Sequence, residues 1–69
     1  REDYFAAARL LQPLAEAGDT RAMSELGGLY LEGLGVDEDR AAGKRWLEKA
    51  AQAGDAEAAE LLQILEQAR

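Results

Sequence analysis

The tripeptide Ala17-Gly18-Asp19 returns as Ala53-Gly54-Asp55, 36 residues further on and with matching neighbours on both sides. Aligning residues 1–33 with 37–69 gives 12 identities in 33 pairs. Chance would give roughly four in a chain so rich in alanine, leucine and glutamate. The matches include Asp3/Asp39, Leu11/Leu47, Ala15/Ala51, Ala22/Ala58, Leu26/Leu62 and Leu29/Leu65, which are cap and core positions. A period of this length marks stacked supersecondary units, each of which buries its apolar face only against its neighbours.

Within each copy the apolar residues recur at three- and four-residue spacing, the period of an amphipathic helix. The first helix is predicted from about Tyr4 to Ala17, with Asp3 as N-cap and a stripe of Tyr4, Phe5, Ala8, Leu11, Leu14 and Ala15. Pro13 lies in that stripe; lacking an N–H and crowding the Arg9 carbonyl, it predicts a kink or a helix in two pieces. Gly18 supplies a left-handed residue that ends the helix, and Asp19 begins the next at once, so neighbouring helices run antiparallel. The second helix, about Thr20 to Glu32, gathers Ala22, Met23, Leu26, Gly27, Leu29, Tyr30 and Gly33 on one arc, and Gly27 there predicts close backbone approach. After a loop at Gly33-Leu34-Gly35-Val36, expected to tuck over the helix ends, the pattern repeats. A third helix is predicted from about Arg40 to Ala53 behind Asp39, with Trp46, Leu47, Ala50 and Ala51 inward. A fourth, about Ala56 to Ala68, turns Ala58, Leu61, Leu62 and Leu65 inward. The expectation is an all-α fold of four antiparallel helices in two pairs.

Composition narrows the chemistry. The 69 residues contain neither cysteine nor histidine, which removes disulfides, thiolate nucleophiles, Cys/His zinc sites and imidazole acid–base catalysis. A net charge of −6, from 14 acidic and 8 basic residues spread along the chain, makes nucleic acid a poor partner, since phosphate binding needs a basic stripe. No apolar run approaches a membrane span and no charged-then-apolar leader precedes the first helix, so no membrane insertion is expected. The folded part is expected to be soluble. Its compartment stays open, because a start at Arg1 rather than Met leaves room for upstream sequence.

The series Ala22-x3-Leu26-Gly27-x2-Tyr30-x2-Gly33-x-Gly35-Val36-x2-Asp39-x2-Ala42, followed by Trp46-x2-Lys49-Ala50-Ala51-x2-Gly54-Asp55, resembles the Sel-one-like repeat, a helix-hairpin relative of the tetratricopeptide repeat. The resemblance implies a short right-handed α-solenoid used as a protein-binding scaffold without catalysis. It also implies a single domain over residues 1–69, with one complete unit at about 20–54 and half-units at 3–18 and 55–69. The fourth helix departs from the motif, carrying Gln63 and Glu66 where the second has Gly27 and Tyr30. Terminal repeats need a polar outer face, so Gln63, Glu66 and Gln67 are expected to form a C-terminal cap.

Other signals reduce to structure. Gly33-x-Gly35 follows a helix, lacks a third glycine and has no Lys-Ser/Thr, so it is a loop and not a phosphate cradle. Asp37-Glu38-Asp39 lacks the order of a calcium loop and suits a helix N-terminus, where carboxylates complement the macrodipole. Ser24 and Thr20 have no histidine base, and carboxylates such as Glu57/Glu60 lie on helix faces without a cleft. The resemblance implies that Trp46 and Tyr30 occupy motif positions that pack hairpins together. No catalytic residue, metal site or cofactor is expected.

What remains is a surface. Leu31 falls opposite the buried arc of the second helix, beside Ser24 and Gly28, and Ile64 is the repeat counterpart of Gly28. Ser24, Glu25, Gly28, Leu31, Glu32, Glu60 and Ile64 are therefore the candidate partner-binding set, a shallow acidic face with an apolar groove at Leu31 and Ile64. The expected partner is another protein or peptide, basic or amphipathic. The alternative is a structural role, in which the open first helix, bearing Tyr4, Phe5 and Leu10, self-associates or docks onto another part of a larger repeat protein.

Overall fold

The computed structural model describes residues 3–67. These form four helices: α1 Tyr4–Glu16, α2 Thr20–Glu32, α3 Arg40–Gln52 and α4 Ala56–Gln67. Each lies within about a residue of its predicted start and end, and the predicted end of α4 at Ala68 falls outside the described residues. There is no strand among them. Consecutive helices pack as antiparallel neighbours, α1 on α2, α2 on α3 and α3 on α4, the hairpin stacking of a short α-solenoid.

The repeated Ala-Gly-Asp builds the same joint twice. Gly18 and Gly54 sit at φ 102° and 103°, a conformation that a Cβ disfavours. At the first joint the Asp19 N–H donates to the Leu14 carbonyl at 3.0 Å and the Gly18 N–H to the Ala15 carbonyl at 3.1 Å. At the second, Asp55 donates to Ala50 and Gly54 to Ala51, both at 3.0 Å. This is the Schellman pattern, which satisfies carbonyls left over at a helix end. The aspartate then caps the following helix: Asp19 Oδ1 accepts from the Ala22 N–H at 3.0 Å, and Asp55 Oδ1 from those of Glu57 and Ala58 at 2.9 and 3.2 Å. Asp3 and Asp39 cap α1 and α3 in the same way, through Ala6 and Ala42.

Pro13 neither breaks nor divides α1, which continues unbroken to Glu16. The proline is exposed, three residues from the helix end. Its missing N–H removes the one bond to the Arg9 carbonyl, while the Ala17 N–H still reaches the Pro13 carbonyl at 3.0 Å.

Small residues bring the helices together. The buried core consists of Ala8, Ala15, Ala22, Ala50 and Ala58 with two leucines, Leu26 and Leu47, both fully enclosed. Burial of each leucine contributes about 1.5–3 kcal/mol. Where α2 crosses α3 the contact is glycine on glycine. A Cβ on Gly27 would stand 3.0 Å from the Gly43 carbonyl oxygen and from Leu47 Cγ, while one on Gly43 would stand 2.8 Å from the Gly27 carbonyl oxygen and from Leu31 Cγ. The predicted close approach at Gly27 thus has a partner, Gly43, that periodicity alone does not single out. Tyr30 and Trp46 are half-buried against the cluster of Ala8, Ala15, Ala22 and Leu26, so Trp46 ties α3 back to the first hairpin.

The α2–α3 loop is seated firmly. The Asp39 N–H donates to the Tyr30 carbonyl at 2.9 Å and the Leu34 N–H to the Leu29 carbonyl at 3.0 Å. A Cβ on Gly35 would collide with the Tyr4 carbonyl, so the loop lies directly against the start of α1.

Candidate functional site

α2 has a wider buried arc than its periodicity predicts. Ser24 is buried at 7% exposure, and Leu31 is half-buried against the cluster of Leu47, Ala50 and Ala58. Neither faces outward, and both expectations are corrected. Their common cause is coverage from two sides. At Gly43 the absent side chain leaves a hollow on α3, and Leu31 fills it. Ser24 is approached by the start of α4, where it shares a shallow cleft with Arg21, Glu25, Asp55, Glu57 and Leu61. The apolar groove expected from Leu31 and Ile64 does not form. Leu31 is turned into the core, whereas Ile64 stands 60% exposed on α4, near Glu60 in sequence and likewise exposed.

Three of the expected residues do meet at one place. Glu25, Gly28 and Glu32, with Leu29 and Leu34, form one wall of an open groove whose other wall is Tyr4, Ala7 and Leu11 of α1. Its volume is about 330 Å³. The wall residues are apolar in the middle and acidic at the rim. Gly28 is half-buried, yet a Cβ there would meet nothing within 4 Å, so the groove is open above it. Beside it α1 exposes Leu10 (69%) and Leu14 (49%), while Phe5 (62%) stands on the other side of the buried stripe of Ala8 and Ala15.

Charge is distributed unevenly around this structure. Arg21 Nε donates to Glu25 Oε2 at 3.2 Å in an exposed i,i+4 pair, an arrangement that contributes little to stability and leaves Glu25 available. α3 exposes Arg40, Lys44, Arg45 and Lys49, half of the chain's eight basic residues. Lys49 Nζ lies 5.4 Å from the centre of the Trp46 ring, and the Arg9 guanidinium 5.6 Å from that of Phe5. Among the described residues no group of three or more Asp and Glu is placed to hold a metal ion, and no helix is long and apolar enough to cross a membrane.

Ala7, Leu11, Leu29 and Leu34 complete the groove and were not among the residues expected there. A signal for two of them is present in the sequence. The 36-residue offset pairs Ala7 with Gly43 and Leu11 with Leu47, residues of α3 that pack on α2.

Comparison with known proteins returns one family. The model of the Sel1 repeat matches residues 1–19 and 20–55, so two successive matches cover most of the chain and meet at the first Gly-Asp joint. No curated protein and no solved structure matches it.

Proposed function

Because the chain belongs to the Sel1 repeat family, whose repeats generally mediate protein–protein interaction, we propose that it is a non-catalytic binding module that receives a partner protein in the groove between α1 and α2. The observation that carries this reading is the apolar face of α1, left exposed beside a groove with an acidic rim. Glu25 and Glu32 flank it, and a segment with apolar residues and positive charge matches both features. Catalysis has no part in the proposal: without histidine or cysteine the chain offers neither an imidazole base nor a thiol nucleophile. A structural role within a larger repeat protein uses the same face. It is favoured by the fact that α1 presents positions that are internal in α3.

The test is an affinity comparison with the partner isolated on the intact protein. Reversing the rim charges with Glu25→Lys and Glu32→Lys is expected to weaken binding by about tenfold or more, and an equal charge change at Glu57 and Glu60 of α4 by less than about twofold. Equal effects of the two double variants, or no effect of the first, would overturn the assignment of the surface.

A further inference from the structure

The repeat shows what shape of occupant the groove is built for, an inference that rests on the protein-binding reading above. A shift of 36 positions carries Ala7, Leu11 and Leu14 of α1 onto Gly43, Leu47 and Ala50 of α3. Those three are buried on α3, and Gly43 and Leu47 meet α2 at Gly27. The α1 counterparts face open space: Ala7 and Leu11 in the main groove, Leu11 and Leu14 in an adjoining shallow cleft with Asp19, Arg21, Ala22 and Glu25. The second wall behaves alike. Glu25 and Leu29 of α2 correspond to Leu61 and Leu65 of α4, which pack in one cluster with Met23 and Leu31 of α2. The α1 wall of the groove is therefore a surface whose counterpart, one repeat later, holds α2, and the α2 wall one whose counterpart shares a hydrophobic cluster with α2.

We propose that the groove takes an amphipathic helix of a partner protein, built on the pattern of α2, lying antiparallel to α1 and carrying basic residues opposite Glu25 and Glu32. A glycine of that helix lies over Ala7. The α2–α3 crossing already puts a Gly27 Cβ at 3.0 Å from its neighbours, and Ala7 adds a Cβ where α3 has none. Four residues on, a leucine plays the part of Leu31. A second copy of this chain does not supply such a helix. Its α2 is held between α1 and α3, and its α4 bears exposed Gln63, Glu66 and Gln67 where α2 has Gly27, Tyr30 and Leu31. Two copies also repel, at −6 each.

A labelled, end-capped peptide of residues 19–33 with Glu25→Lys and Glu32→Lys is the probe, titrated with the full chain and followed by fluorescence anisotropy and helical circular dichroism. Saturable binding with a gain of helicity is expected. It should fall about tenfold or more for the Ala7→Glu protein, or for Leu14→Glu if the first variant fails to fold, and stay within about twofold for Ile64→Glu. Replacing the peptide's own Gly27 by leucine should abolish binding. Absence of binding, or binding indifferent to Ala7→Glu and to the peptide glycine, overturns the proposal. If the partner's affinity still depends on Glu25 and Glu32 in that event, the protein-binding reading survives and only the α2-like occupant is lost. Sedimentation that shows a dimer broken by Ala7→Glu would assign the groove to a second copy and overturn it as well.

Discussion

Leu47 and Ala50 of α3 have no exposed surface, while Leu14 of α1, the repeat counterpart of Ala50, is 49% exposed and Leu11, the counterpart of Leu47, lines an open groove. The two helices share their caps, their joints and the spacing of their apolar residues. They differ in what lies beside them. α3 is packed by both α2 and α4, and α1 by α2. In a solenoid, burial is a property of a residue together with its neighbouring unit, so the same position is core in one copy and binding surface in the next. The far end makes the point by contrast. There α4 places Gln63, Glu66 and Gln67 in water where α2 has Gly27, Tyr30 and Leu31, so the same positions are polar in one copy and packed in the other.

The comparison can be broken most sharply at the leucines. Leu47→Ala is expected to cost ~3 kcal/mol, from the lost transfer energy and the cavity left behind. Leu14→Ala, already half in water, should cost well under ~1 kcal/mol. Chemical denaturation of both variants measures this, and similar losses would mean that the α1 face is covered in solution. The α2–α3 crossing comes next. Gly43→Ala gives α3 the residue that α1 carries as Ala7, and overpacking against the Gly27 carbonyl should cost ~2 kcal/mol. Gly28→Ala, with nothing nearby, should stabilise by ~0.5–1 kcal/mol through helix propensity. If Gly43→Ala also stabilised, the close contact would not be what buries α3. The smallest difference between paired sites concerns the joints, which are alike in both copies. Gly18→Ala and Gly54→Ala should each lose ~1 kcal/mol by forcing an alanine to positive φ. Thermal melts that separate them would show that the joints, too, depend on their surroundings.

Local chemistry was the legible part. Four aspartate caps, two glycine reversals and the three- and four-residue apolar spacing place each helix within about a residue of where it lies, because these signals act over only a few residues. The candidate surface was legible only in part. Glu25, Gly28 and Glu32 fall together on one side of α2 and do line the groove. Ser24 and Leu31 do not, since a helical wheel gives the direction of a side chain and not what approaches from that direction.

By itself, then, the sequence determined the all-α class, the phase of the repeat and the identity of its joints, all consequences of short-range backbone and capping energetics. Tertiary structure decided the rest. The hollow at Gly43 drew Leu31 inward, Ser24 came to lie buried beside the start of α4, and Ala7, Leu11 and Leu14, at positions that are core in α3, came to line a groove and its adjoining cleft. Each of these depends on contacts between residues far apart in the chain, and close packing makes such contacts specific to the assembled shape.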